Sequence, residues 1–239
     1  MVKSGLKLRR SIYYTLAFVS IIWIVKIIEY TFHYNFGDFG ILPRTVSGSI
    51  GIFTAPFIHG DVYHLLSNTF PLITLGIGIF YFYDKIAITV ILLIYIMTGF
   101  WVWVAAREAY HIGASGVIYG MLTFLLLSGF LKRDAKSLAV SFIVLFIYGG
   151  SFFTGVIPGD QAVSWESHLM GAIAGVFCAI YFRKYGKAKR AIQDEPVANY
   201  STYIYHYTKA ELDNEAEALA PKKDSTIIYT IDSPFKEVK

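Results

Sequence analysis

Six stretches of this chain are apolar around their whole circumference and long enough to cross a lipid bilayer: residues 11–32, 62–83, 86–106, 115–131, 137–154 and 165–182. A hydrocarbon core about 30 Å thick takes roughly 17–25 helical residues. In lipid every backbone polar group must find its partner within the chain, so only helices or closed barrels span it. A barrel would show short strands alternating polar and apolar residues, and that alternation is missing. The sequence therefore predicts an all-α membrane protein with six transmembrane helices. The composition agrees: 55% of the residues are hydrophobic and the mean hydropathy is +0.51, too high for a disordered chain and unusual for a soluble domain.

Charge is sparse and placed with a bias. Lys3, Lys7, Arg9 and Arg10 precede the first apolar stretch, Lys85 follows the second, and Lys132, Arg133 and Lys136 separate the fourth from the fifth. Arg183, Lys184, Lys187, Lys189 and Arg190 follow the sixth, while the opposite loops carry only Arg44 and Arg107. By the positive-inside rule both termini face the cytoplasm. Cations beside apolar segments read as topology signals, not as a nucleic-acid surface. The basic N-terminus leads into a full-length span without a small-x-small cleavage site, so a retained first helix is expected rather than a signal peptide. Domain organisation follows: a membrane domain over 1–186 and a polar, flexible cytosolic tail over 187–239, whose TIIYTID leaves room for no more than a short strand. Cys178, the one cysteine, sits in an apolar run and reads as a small buried hydrophobe.

The loop over residues 33–61 is long and rich in Gly and Pro; connections of this length are often functional or semi-buried, and Phe53, Pro56, Phe57 and Ile58 suggest that it rests in the membrane interface. Lys26 and Glu29, one turn apart, are expected to pair or to snorkel. His33 and His206 read as interfacial and tail residues. The spacing in HGDVYH does not fit the i, i+4 pair of a zinc helix, so no metal or cofactor is expected.

Polar side chains within membrane helices need a reason. His64, Ser67 and Asn68 lie on the second helix, Ser115 opens the fourth, and His168 lies on the sixth. Counted inward from the cytosolic boundary, Asn68 is 16 residues from Asp84, Ser115 is 17 from Lys132 and His168 is 15 from Arg183. At 1.5 Å per residue these are about 24, 25 and 22 Å, one level below the outer surface. His64 and Asn68 share a face, as do Ser115 and Tyr119. Gly116 and Gly120 on the fourth helix, with Gly171 and Gly175 on the sixth, let the two backbones approach. A neutral histidine beside a serine can take its proton and make it a nucleophile. Unpaired N–H groups at the start of the fourth helix, with His64 or Asn68, can stabilise an oxyanion. No acidic residue is expected at this level, which favours a Ser–His dyad, with Tyr119 holding the imidazole by stacking.

GASG at residues 113–116, with Tyr119 four beyond the serine, resembles the GxSGxxY motif of rhomboid intramembrane serine proteases. HLLSN at 64–68 resembles that family's HxxxN, and SHLMGAIAG at 167–175 its HxxGxxxG. The resemblance covers most of residues 10–185 and implies a six-helix rhomboid-like bundle in a bacterial plasma membrane, its site opening to the outer side. It implies Ser115 as nucleophile, His168 as general base, His64 and Asn68 as oxyanion helpers, Gly113 in the loop shaping that pocket and Tyr119 packed on His168. His59 matches an additional histidine of the family; His111 receives no role. The chain departs from the pattern at Pro43-Arg44, where many members have Trp-Arg, and at Ser167, commonly alanine. The implied activity is endoproteolysis of single-pass membrane proteins in or near their transmembrane segments. The alternative is a non-proteolytic, client-binding relative, a class that typically lacks the serine or histidine kept here. A small transporter fits less well, because its polar groups would lie at the midplane.

Overall fold

The computed structural model describes residues 2–133, 135–158, 164–185, 230–231 and 236–237. Contacts divide the chain into two units, Met1–Tyr185 and Gly186–Lys239. Among the described residues, the first unit holds six helices of 17 or more residues: α1 (Val2–Phe32), α2 (Val62–Phe82), α3 (Ala87–Ala105), α4 (Ser115–Lys132), α5 (Ala135–Gly155) and α6 (Trp165–Tyr181). Five of them, all but α5, are shown to be long and apolar enough to cross a membrane. In the second unit Thr230–Ile231 pairs antiparallel with Lys236–Glu237; the rest of the anticipated tail, with His206, lies outside the described residues.

The helix limits fall within a residue or two of the apolar stretches except at α1, which starts nine residues earlier than the sequence reading placed it. Nothing between Val2 and Arg10 stops a helix: Leu, Lys and Arg are good formers, and one glycine costs only about 1 kcal/mol. The helix therefore runs on past the lipid boundary. Asp61 starts α2 by accepting the His64 N–H at 2.7 Å, an N-cap of the usual kind. Arg133, at φ 55°, turns the chain out of α4.

Helix α4 is the most buried of the spans and packs against α2, α3, α5 and α6. Around it Leu65, Leu72, Leu75 and Ile79 of α2, Val90 and Ile94 of α3, and Ala174, Cys178 and Ala179 of α6 are buried. The opposite face of α3 carries Ile88, Leu92, Ile96, Phe100 and Val104, each four residues from the last and all exposed. Such a stripe suits lipid, which is as apolar as the side chains themselves.

The 33–61 loop is not an open connection. It folds into short turns, Gly37–Phe39, Ser47–Ile50, Gly51–Thr54 and Ala55–Phe57, laid against the bundle. Phe53 faces outward as expected, but Pro56 and Ile58 are buried against protein, not exposed at an interface. Polar contacts account for the difference: Arg44 Nη1 donates to the Ala106 carbonyl (2.6 Å), Trp103 Nε1 to the Thr45 carbonyl (2.8 Å), and Ile41 and His111 exchange both backbone hydrogen bonds (2.9 Å each). Trp103 thus stands against the segment of Arg44, although no tryptophan neighbours that arginine in sequence.

Candidate active site

The site begins with two rows of missing side chains. A Cβ at Gly171 would strike the carbonyl oxygen of Gly116, and one at Gly175 the carbonyl oxygen of Gly120. In the other direction a Cβ at Gly116 would come within 2.9 Å of the Ser167 carbonyl oxygen, and one at Gly120 within 2.9 Å of that of Gly171. Helices α4 and α6 therefore touch backbone to backbone. Thr123 Oγ1 adds a cross-link to the Ala172 carbonyl (3.0 Å).

This approach brings Ser115, the first residue of α4, against His168 in the first turns of α6. Ser115 Oγ and His168 Nε2 are 2.7 Å apart. His168 Nδ1 lies 2.8 Å from the Gly155 carbonyl oxygen. A carbonyl only accepts, so Nδ1 carries the proton and Nε2 presents its lone pair to the serine hydroxyl. The ring is thereby held as the neutral tautomer that can act as a base. Tyr119 stacks on it, ring centroids 4.2 Å apart and planes within 4°.

The Gly155 carbonyl is available because Gly155 ends α5, where the last carbonyls have no partner within the helix. A Cβ there would lie 2.9 Å from His168 Nδ1 and would also strike the Tyr119 hydroxyl. Sequence reading missed this residue. The signal was present in Gly155 followed by Pro158, a helix stop.

The other residues form a second wall. Gly113 has φ +103°, a conformation that favours glycine, and a Cβ there would come within 2.7 Å of the His64 ring. His64 meets His59 edge to face at 4.9 Å. The Ala114 N–H points to His59 Nε2 at 3.4 Å, and the Gly113 N–H donates to the Ala55 carbonyl (2.9 Å). His59 is buried outside the spans, and desolvation holds its pKa down to about 3, so it is neutral. Asn68 is buried on the face of His64, but its Nδ2 donates to the His64 carbonyl (2.7 Å) within its own helix. Ala114 provides no side-chain cap to α4, so the N–H groups of Ser115, Gly116 and Val117 have no acceptor within the helix.

One expectation needs correcting. Glu166, half a turn before His168, is an acidic residue at the level of the site and is 4% exposed. Its Oε1 is 3.5 Å from Arg107 Nε, and among the described residues neither carboxylate oxygen accepts a hydrogen bond. It does not bond His168, both of whose ring nitrogens are engaged elsewhere. His111, given no role from sequence, is buried and contacts Ser164 Oγ through Nδ1 (2.5 Å) and the Arg107 carbonyl through Nε2 (3.1 Å). Ser164 Oγ in turn lies 2.6 Å from Ser167 Oγ. By the same carbonyl argument Nε2 of His111 holds the proton and Nδ1 accepts from Ser164, so the loop before Ser115 is tied to the start of α6.

The rhomboid domain model matches residues 47–185, which contain all of these groups. The chain is 34% identical over 192 residues to an uncharacterized protein of Mycobacterium tuberculosis, covering 74% of this chain and 78% of that one. It is 32% identical over 188 residues to an uncharacterized protein of Mycobacterium leprae (75% and 74% covered), and 29% identical over 152 residues to a putative rhomboid protein of Acanthamoeba polyphaga mimivirus (58% and 78% covered). With its apolar helices and its match to the domain model, this chain is an integral membrane protein belonging to the rhomboid family.

Proposed function

We propose that the chain is an intramembrane serine endopeptidase. The observation that carries this reading is the 2.7 Å contact between Ser115 Oγ and His168 Nε2, with the imidazole tautomer fixed by the Gly155 carbonyl. His168 Nε2 takes the hydroxyl proton as Ser115 Oγ attacks the scissile carbonyl carbon. Negative charge then grows on the carbonyl oxygen beside the free N–H groups that open α4, with His64 and Asn68 assisting and Gly113 shaping the pocket. The protonated His168 gives its proton to the leaving amine as the C–N bond breaks, leaving an ester on Ser115. Water, deprotonated by His168, attacks that ester; the bond between the acyl carbon and Ser115 Oγ breaks, the second product leaves as a carboxylic acid, and His168 returns the proton to Ser115 Oγ. Tyr119 keeps the ring in plane through each of these proton transfers.

The substrates are single-pass membrane proteins cut near the outer end of their span, with both termini of the enzyme in the cytoplasm. A helical peptide bond reaches Ser115 only after local unwinding, so substrates carry helix-weakening residues near the cut. The test is cleavage of a model transmembrane substrate by purified protein beside Ser115→Ala and His168→Ala. Each variant should lose activity by several orders of magnitude. A fluorophosphonate should label the wild type and not Ser115→Ala. Equal cutting by wild type and Ser115→Ala sinks the reading.

A further inference from the structure

The end of the bundle away from Ser115 holds a crevice of about 510 Å³ between the start of α1 and the turn that joins α2 to α3. Lys7, Arg10, Asp84 and Lys85 line it together with Tyr14 and Phe80, whose rings are 5.2 Å apart. The two kinds of group are layered. Tyr14 follows Arg10 by four residues on α1, and Phe80 lies on α2 four residues before Asp84 of the following turn, so the aromatic pair sits about one turn, roughly 5 Å, deeper than the charges on both sides.

The layering matches the edge of a bilayer. Helix α1 has 31 residues, about 46 Å, against a hydrocarbon core of about 30 Å. Its first turns therefore stand at headgroup level while Tyr14 enters the acyl region. The charge is unbalanced there. Asp84 is met by Lys7 at 3.4 Å, and among the described residues no carboxylate lies within ion-pair distance of Arg10 or Lys85. Arg10 leans over Tyr14, its guanidinium 6.0 Å from the ring centre. Two cations without a carboxylate in ion-pair contact among the described residues, above an aromatic wall, complement one phosphodiester with a hydrocarbon tail.

We propose that this crevice binds one anionic phospholipid, its phosphate between Arg10 and Lys85 and an acyl chain along Tyr14 and Phe80. A free phosphate offers the same anionic chemistry but leaves the aromatic wall uncovered, so the lipid is the occupant the geometry favours. The site is separate from the serine site, and its test reads binding rather than proteolysis.

The experiment is native mass spectrometry of the full chain released from neutral detergent and titrated with phosphatidylglycerol or phosphatidylcholine. One phosphatidylglycerol should be retained, with phosphatidylcholine much weaker. A cation near a membrane surface contributes about fivefold in affinity, so Arg10→Gln with Lys85→Gln should weaken retention on the order of 25-fold. Arg183→Gln with Lys184→Gln removes the same charge from the same end, outside the crevice, and should leave retention unchanged. Both pairs are exposed, and circular dichroism checks that their helices persist. Equal loss in the two double variants, or equal retention of both lipids, overturns the proposal. Inorganic phosphate at millimolar concentration should not displace the lipid; displacement at the lipid's own concentration would mark an ion site and overturn the assignment to lipid.

Discussion

At the scale of single residues, the orientation of His168 depends on an atom that no motif contains. The Gly155 carbonyl fixes which ring nitrogen holds the proton, and the space for it exists only because residue 155 has no Cβ. Gly155→Ala is expected to push both Tyr119 and His168 out of place. A displacement of about 1 Å can cost roughly 100-fold in rate, so kcat should fall by about that factor while the protein stays helical. Cleavage kinetics with circular dichroism on the same preparation decide this; an active Gly155→Ala would show that the carbonyl contact is dispensable. Ser115, His168 and Tyr119 were legible in the sequence because their spacing fixes shared depth and shared faces. Gly155 was not, because a backbone acceptor has no residue type, and Glu166 was passed over although it lies two residues from the histidine.

Among the elements, the helices were legible and their couplings were not. Apolar length located α2 to α6 closely, since lipid thickness sets both limits. The start of α1 went unread because leaving the membrane does not end a helix. The couplings of the 33–61 loop went unread for a related reason: its burial rests on backbone hydrogen bonds from Ile41 and side-chain bonds from Arg44 and Trp103, none of which has a periodicity. His111 is the strongest case. Its side chain joins the loop before α4 to Ser164 at the head of α6, and so ties together the two helices that bear Ser115 and His168. His111→Phe and Ser164→Ala should each lower kcat about tenfold with little change in KM. The double variant should be no worse than either single one, because both remove the same bond. Fully additive losses would show that the two side chains act separately.

For the molecule as a whole, the buried loop histidines make stability depend on pH. Burial holds the pKa of His59 near 3 and pushes that of His111 below its ordinary value. Both are neutral when folded, whereas the unfolded chain takes up protons below about pH 6.5. Above that pH neither costs anything. Below it the unfolded state is favoured, by about 1.4 kcal/mol per pH unit for His59 on the way down to about pH 3. Protonated His59 would also set an N–H against that of Ala114. The Tm in neutral detergent should therefore fall from pH 7 to pH 5, and fall less steeply in His59→Gln. Parallel slopes would assign the acid sensitivity to other groups.

The family match begins at residue 47, after α1 has ended, yet α1 is fastened to the serine's own neighbourhood. Lys26 Nζ donates to the carbonyls of His59 (2.8 Å) and Gly60 (3.0 Å) and pairs with Glu29 at 3.1 Å. His59 in turn faces the N–H of Ala114, the residue before Ser115. One lysine thus anchors the segment on which the loop before Ser115 leans. A chain trimmed to the matched residues would keep Ser115 and His168 but lose the lysine contacts that hold the His59 segment beside them.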